Sequence, residues 1–441
     1  MATELNLDKE ILRLSVPAIV SNVTVPLLGL CDTAVSGHLG SEIYLAAIAV
    51  GAMMLNVIIG LLVFLRMGTS GMTATAFGAG DSEGVRRVFT RAFLLGVGIG
   101  TALVILQLPL RELMLAVIAP DEEVRLFAAS YFGIRVWGLP ALLGVMAVSG
   151  WFVGMQSTVP PMAIAIVMNI LNILLSCLLV FGFGIGFDGV AWGTAISNWA
   201  GLAMALVWAS RFRKGERLFC APAEIFRGGG MRRFFNVNGN LFLRSSCIMA
   251  VSLGVTSAGA RLGAMTLAVN VVMMQFFTLF SYFMDGFAFS GEALIGRWYG
   301  ASDERMLRRS VRALLKWTSG VALLFTLAYA VGVNPVAALI TDSDAVLSGV
   351  SSMRWWLVVL PAVSAWAFIY DGFFVGITDT ALMARATLVA SVVFYIVAFL
   401  NISDGGLHIG VAGNGWLWTA FLLYLFMRGV VLAIAWRRKG L

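Results

Sequence analysis

The chain has two histidines and four cysteines among 441 residues, and only 12% of its residues are charged. His38 and His408 lie far apart, with no acidic or cysteine companion, which excludes the clustered donor set that a transition metal needs. Cys31, Cys177 and Cys247 lie in apolar stretches and Cys220 in a basic one; no pair has metal-ligand or redox spacing, so structural thiols are expected. No Gly-Lys-Ser/Thr phosphate loop occurs, so ATP hydrolysis within the chain is excluded as an energy source. The opening residues Met1 to Glu10 lack the basic region and cleavage site of a secretory signal, and the first apolar stretch is too long for one. Insertion through the chain's own helices is expected instead.

What the chain has is apolar sequence: 60% of residues are hydrophobic and the mean hydropathy is +0.92. No soluble globular domain has this composition. A hydrocarbon core of about 30 Å is crossed by about 20 apolar residues. Runs of that length are expected at 11–36, 44–78, 88–110, 124–155, 160–184 and 189–210, and again at 236–258, 264–299, 309–333, 346–378, 381–401 and 410–436. The pattern predicts an all-α integral membrane protein of twelve transmembrane helices, with lobes at 1–210 and 236–441 joined by a basic linker at 211–235.

The formal charge of +7 does not point to nucleic acid, because the basic residues crowd particular loops. Arg86, Arg87 and Arg91, the linker cluster, Arg305, Arg308, Arg309, Arg312 and Lys316, and the terminal Arg437-Arg438-Lys439 fall on alternate breaks, while Asp121, Glu122, Glu123, Asp188, Asp342, Asp344 and Asp404 fall on the others. The positive-inside rule then puts both termini in the cytoplasm.

The two sets of spans repeat. Leu45 through Arg87 runs without a gap against Leu267 through Arg309, at an offset of 222 residues, and Phe152-Val153-Gly154 falls on Phe374-Val375-Gly376 at the same offset. Each unit has an even number of helices, so the repeats are parallel, with a site between or within lobes as in alternating-access transporters.

Asp32 leads the candidates for chemistry. An acid inside a spanning helix costs roughly 2.5 to 3.5 kcal/mol, so it usually faces a cavity or a partner. A buried carboxyl group is easier to protonate and so can load and release a proton; the bland alternative is a group hydrated near the outer membrane face. Asn169, Asn172 and Ser176 share one face of the fifth span, and Thr194 and Asn198 on the sixth reach a similar depth, so these five can line one pocket with Asp32. Interhelical hydrogen bonding explains them equally well. In the second half, Asp285 and Glu292, on one face of the eighth span, fall to the cytoplasmic side with Arg66, Arg244 and Asp371; a fixed ion-pair network competes there with an inner gate. Pro17 and Pro26 each remove a backbone hydrogen bond from the first helix and make it a hinge or a static kink.

The run Ser21 to Gly40 (SNVTVPLLGLCDTAVSGHLG) resembles the first helix of the multidrug and toxic compound extrusion (MATE) family, in its DinF-like branch. Phe64-Leu65-Arg66-Met67-Gly68-Thr69-Ser70-Gly71, Asn169-Ile170-Leu171-Asn172-Ile173, Ser281 through Phe289 and Asp371-Gly372-Phe373-Phe374-Val375-Gly376 match that branch too. The resemblance implies a V-shaped, two-lobed secondary antiporter in a bacterial inner membrane, acting as a monomer without cofactor and exporting amphipathic or cationic organic compounds. It implies proton coupling through Asp32, with Pro17 in bending, although sodium coupling stays open. Ser176 stands where many relatives have an aspartate. A lipid-linked oligosaccharide flippase of the same superfamily is the alternative, but it should line its cavity with basic residues. A membrane enzyme or receptor would need a catalytic constellation or a ligand domain, and neither occurs.

Overall fold

The structure, a computed structural model, describes residues 6–37, 41–213, 217–225, 230–403, 406–411 and 413–440; the side chains of 25–28, 30–33, 36–37, 401–403 and 406–409 lie outside the description. Lys214 and Arg227 of the basic linker therefore also lie outside the described residues. In chain order the helices are α1 (Leu7–Gly37), α2 (Glu42–Leu62), α3 (Phe64–Gly78), α4 (Ser82–Ile105), α5 (Gln107–Ile118), α6 (Glu122–Arg135), α7 (Leu139–Gly154), α8 (Val159–Cys177) and α9 (Asp188–Phe212). There follow α10 (Pro222–Ile225), α11 (Gly230–Arg261), α12 (Ala264–Gly300), α13 (Glu304–Ile340), α14 (Asp344–Ser352), α15 (Arg354–Gly376), α16 (Thr380–Phe399) and α17 (Asn414–Arg438). Among the described residues eleven helices or stacked helix pairs are long and apolar enough to span a membrane. The first helix, at 31 residues, has the length to make a twelfth.

The expected spans meet these helices with several differences. The span at 124–155 is α6 and α7 joined by a 3-10 turn at Val136–Gly138, and that at 346–378 is α14 and α15 broken at Met353. The short amphipathic α5 follows α4 where a break was expected, and α13 continues to Ile340 through Pro335. Between α16 and α17 the strands Leu400–Ser403 and Gly406–Ile409 form an antiparallel hairpin, pairing Leu400 with Ile409, which an all-α expectation does not contain. Counting apolar residues cannot register a one-residue break or a short hairpin.

The chain forms two compact units, one of Val16–Asn238 (the N-unit) and one of Met1–Ser15 with Gly239–Leu441 (the C-unit). Their helices correspond closely. Glu42–Gly78 corresponds to Ala264–Gly300, Ser82–Ile118 to Glu304–Ile340 and Glu122–Gly154 to Asp344–Gly376, all at the offset of 222 residues seen in the sequence. The turns repeat as well. Gly80 (φ +70°) and Ser302 (φ +54°) are left-handed at matching positions, as are Gln156 (φ +64°) and Thr378 (φ +59°). After each left-handed residue, the next N–H closes onto the preceding helix: Asp81 onto the Ala76 carbonyl and Asp303 onto that of Trp298, both at 3.0 Å. Asp81 and Asp303 then cap α4 and α13 by accepting from the Gly84 and Met306 amides at 2.7 and 2.9 Å.

Glycines set the closest helix contacts. A Cβ at Gly150 on α7 would collide with the Arg66 carbonyl of α3, and one at Gly372 on α15 would meet the Ala288 carbonyl of α12 at 2.5 Å. Gly150 and Gly372 are 222 residues apart, as are Arg66 and Ala288, so one small-residue packing is built twice.

Candidate functional site

In the N-unit the polar residues gather where α8 packs on α9. Glycine at 193 brings the helices together: a Cβ there would sit 2.8 Å from the Ser176 amide nitrogen. At that approach Asn172 on α8 donates through Nδ2 to Thr194 Oγ1 on α9 at 2.6 Å, and Thr194 donates back to the Val190 carbonyl at 3.2 Å. Asn172, Ser176 and Thr194 are buried, and among the described residues Asn172 Oδ1 and Ser176 Oγ have no hydrogen-bond partner. A buried polar atom left without a partner costs about 1 to 3 kcal/mol, so two in one cluster need a reason.

The other two asparagines are tied elsewhere. Asn169, one turn earlier on α8, donates to the Thr24 carbonyl of α1 at 3.1 Å. Asn198 lies one turn beyond Thr194 and directs Nδ2 at the Gly138 carbonyl, 3.5 Å away, with Trp199 Nε1 donating to the Trp137 carbonyl at 3.0 Å. The 3-10 turn between α6 and α7 presents those carbonyls. The structure thus brings together Asn172, Ser176 and Thr194, links Asn169 to α1, and engages Asn198 with the α6–α7 break. Asp32 and Pro26 fall on the helical backbone of α1, but their side chains lie outside the described residues. Pro17 is half-buried, two residues past Ser15, where α1 passes from the C-unit to the N-unit.

In the C-unit a different arrangement holds. Asp371 on α15 is buried and accepts at one oxygen, Oδ2, from both Arg244 of α11 and Arg428 of α17, the latter at 2.6 Å. Arg428 also donates to the Tyr424 hydroxyl at 3.2 Å and lies 5.3 Å from the centre of its ring. Three helices are thereby tied at one carboxylate that carries two guanidinium groups. Among the described residues Asp371 Oδ1 and Arg428 Nε are buried without hydrogen bonds.

Of the five charges expected together, the structure joins Arg244 and Asp371. Arg66 lies half-buried in the N-unit, while Asp285, half-buried, and Glu292, buried, both lie on α12. Arg428 was missed in the sequence, although an arginine ten residues inside the end of the last span is the same signal that singled out Arg244.

Known proteins match this chain along its length. The MatE family model matches residues 17–178 and 241–400, one stretch in each repeat. DNA damage-inducible protein F of Escherichia coli (strain K12) is 36% identical over 431 residues, covering 98% of this chain and 92% of that protein. A probable multidrug resistance protein NorM of Pseudomonas syringae pv. tomato (strain ATCC BAA-871 / DC3000) is 25% identical over 97% of this chain and 94% of that protein. Among solved structures, an outward-facing multidrug resistance transporter of the MOP superfamily superposes with a TM-score of 0.83 at 20% identity, covering 98% of this chain and 96% of that one.

Proposed function

Because this chain belongs to the MATE family of multi-pass membrane transporters and is not an enzyme, we propose that it exports amphipathic or cationic organic compounds in exchange for protons, coupled through Asp32. The observation that carries the reading is the buried, neutral cluster of Asn172, Ser176 and Thr194 in the N-unit, whose Asn172 Oδ1 and Ser176 Oγ have no partner among the described residues. An organic cation that enters such a cluster satisfies polar groups without displacing a fixed counter-charge. The similarity to the probable multidrug resistance protein NorM of Pseudomonas syringae supports a drug-like substrate.

The cycle follows from elementary electrostatics. Ionised Asp32 attracts a cation; protonation from the outer side removes that attraction, releases the substrate and lets the polar face close. Asn169 ties α8 to the backbone of α1 at Thr24, so movement in α1 reaches the polar face of α8 directly. Pro17 supplies no N–H to the helical ladder, which eases bending at the point where α1 changes unit. Ser15 and Ser290 hold the preceding turn of α1 by a hydroxyl pair at 2.6 Å. In the C-unit, Asp371 sits between two arginines, and a carboxylate so held is poorly suited to releasing and rebinding a coupling ion. Coupling therefore belongs to the N-unit in this reading, with both termini cytoplasmic in a bacterial inner membrane and a single chain sufficient for the cycle.

Inverted vesicles that hold a pH-sensitive dye and a proton gradient test the reading. Adding a cationic drug should release protons with the native chain and not with Asp32→Asn. Transport by Asp32→Asn at the native rate, or proton release that persists without Asp32, would sink the coupling role. Sodium-dependent transport without proton movement would replace the proton as the coupling ion.

A further inference from the structure

The N-terminal third of α13 carries Arg305, Arg308, Arg309, Arg312 and Lys316, five exposed cations at spacings of three, four, seven and eleven from the first. Those spacings put them on one helical face. The same face continues through Leu323, Leu327 and Val331, which are 60%, 59% and 86% exposed. From Lys316 to Val331 the helix rises by about 22 Å. A cationic band therefore passes into an apolar band on a helix that is long and apolar enough to span the bilayer.

The cations bound two shallow cavities. One of about 660 Å³ is lined by Glu304, Arg305, Arg308, Arg309 and Arg312. The next, of about 490 Å³, lies between Arg309, Arg312, Lys316 and the start of α1 at Asn6–Asp8. Two carboxylates are present: Glu304 pairs with Arg308 at 3.4 Å, and Asp8 accepts from Trp317 Nε1 at 2.8 Å. Arg308 also donates to the Gly440 carbonyl at 3.1 Å. Among the described residues Arg305, Arg309, Arg312 and Lys316 have no ion-pair partner.

The corresponding face of the N-unit is occupied by the chain itself. Arg86 on α4, the repeat counterpart of Arg308, pairs with Glu224 of α10 at 3.2 Å. Arg91 grips the Ile225 carbonyl through Nε and a terminal nitrogen at 2.9 and 2.7 Å. Arg87, the counterpart of Arg309, faces Asp81 and Glu83 at 3.5 and 3.8 Å. The segment between the repeats supplies α4 with oxygen acceptors, whereas among the described residues the acceptors at α13, namely Glu304, Asp8 and the Gly440 carbonyl, engage Arg308 and Trp317.

We propose that the stripe on α13 is a docking site for anionic phospholipid headgroups, with the acyl chains lying along Leu323, Leu327 and Val331. Guanidinium groups bind phosphate oxygens in pairs, and an apolar continuation at the depth of the acyl chains is what a lipid offers and a free phosphate ion lacks. The inference rests on membrane insertion alone and not on the transport cycle.

Native mass spectrometry of the full chain, released from nanodiscs of equal phosphatidylglycerol and phosphatidylethanolamine, is the test. The native chain should retain phosphatidylglycerol in preference, and R305Q/R309Q/R312Q should retain at least about tenfold less, since each basic residue near a charged surface contributes measurably. A control, R211Q/R217Q/R232Q, removes the same charge elsewhere and should stay within about twofold of the native chain. Equal retention by the stripe variant, equal loss in both variants, or no lipid preference in the native chain would overturn the site. If the stripe variant does not fold, the native chain decides: its phosphatidylglycerol preference must fall steeply with salt, and a salt-independent preference refutes the proposal.

Discussion

The N-unit and the C-unit share helix boundaries, capping aspartates and glycine contacts, yet their buried polar and charged residues stand at different places. Asn172 and Ser176 on α8 correspond to Phe394 and Ala398 on α16 at the offset of 222, and Thr194 and Asn198 on α9 to Ala420 and Tyr424 on α17, where the two helices align end to end at an offset of 226. In the C-unit this helix pair closes on rings, with Phe394 and Tyr424 centred 6.3 Å apart. Conversely Arg244, Asp371 and Arg428 stand where the N-unit has Asn22, Ser149 and Leu202, and Glu292 stands where it has Ser70. One backbone plan therefore carries an unsatisfied neutral cluster in one copy and an ion-paired knot in the other. A buried carboxylate between two guanidinium groups fixes three helices at once, whereas orphaned amide and hydroxyl groups leave a helix pair open to a ligand.

The sharpest way to break this contrast is to remove the knot. Asp371→Asn leaves two buried arginines without their counter-charge and should destabilise the protein by about 3 to 5 kcal/mol, read as a large fall in the thermal midpoint in detergent. Ser149→Ala, at the matching place in the N-unit, should barely move it. Equal effects would mean that the knot is no more structural than the serine it replaces.

A smaller effect tests the shared backbone. Gly150→Val and Gly372→Val should each cost about 1 to 3 kcal/mol, and by similar amounts, because each forces a side chain against a helix carbonyl. A large difference in midpoint between the two would show that the glycine contacts are not equivalent. Smaller again is Asn172→Ala, which removes a 2.6 Å hydrogen bond worth about 1 kcal/mol in stability. Its transport of a cationic dye should fall by more than that stability loss explains. Unchanged transport would remove Asn172 from the substrate face.

The smallest effect is expected at the surface. Glu112 on α5 is held below the usual carboxylate range by hydrogen bonds from Arg125 and Arg111. Its contribution is present at neutral pH and lost as pH falls through its lowered value. Because the side chain is exposed, Glu112→Gln should shift the thermal midpoint at neutral pH by less than about 2 °C, and the difference from the native chain should vanish on acidification. A larger shift would make this loop a structural element on a par with the knot.

Much of the architecture was legible before any contact was known. Span lengths follow from the thickness of the bilayer, and the repeat offset predicted helix ends that the structure reproduces at Gly78 and Gly300 and at Gly154 and Gly376. The break at Val63 was not legible, because its counterpart Asp285 sits in an unbroken α12 and both stretches are apolar enough to span. The hairpin at Leu400–Ile409 is too short to give a periodic signal. At the polar cluster the residue types were legible, but their partners were not: helical spacing put Asn169, Asn172 and Ser176 on one face without showing that Asn169 reaches Thr24 and Asn172 reaches Thr194.

By itself the sequence determined that this chain crosses a membrane about a dozen times, that it does so in two copies of one plan, and that intramembrane acids and amides are its chemical resources. Those conclusions depend on composition and period, which hydrophobic transfer and backbone hydrogen bonding impose on any chain. Only the tertiary structure decided that Asp371 is held by Arg428 as well as Arg244, that Ser176 is buried without a partner among the described residues, and that the segment between the repeats covers the basic face of α4. Those facts depend on which helix lies against which, and residues far apart in the chain become partners only when packing sets that neighbourhood.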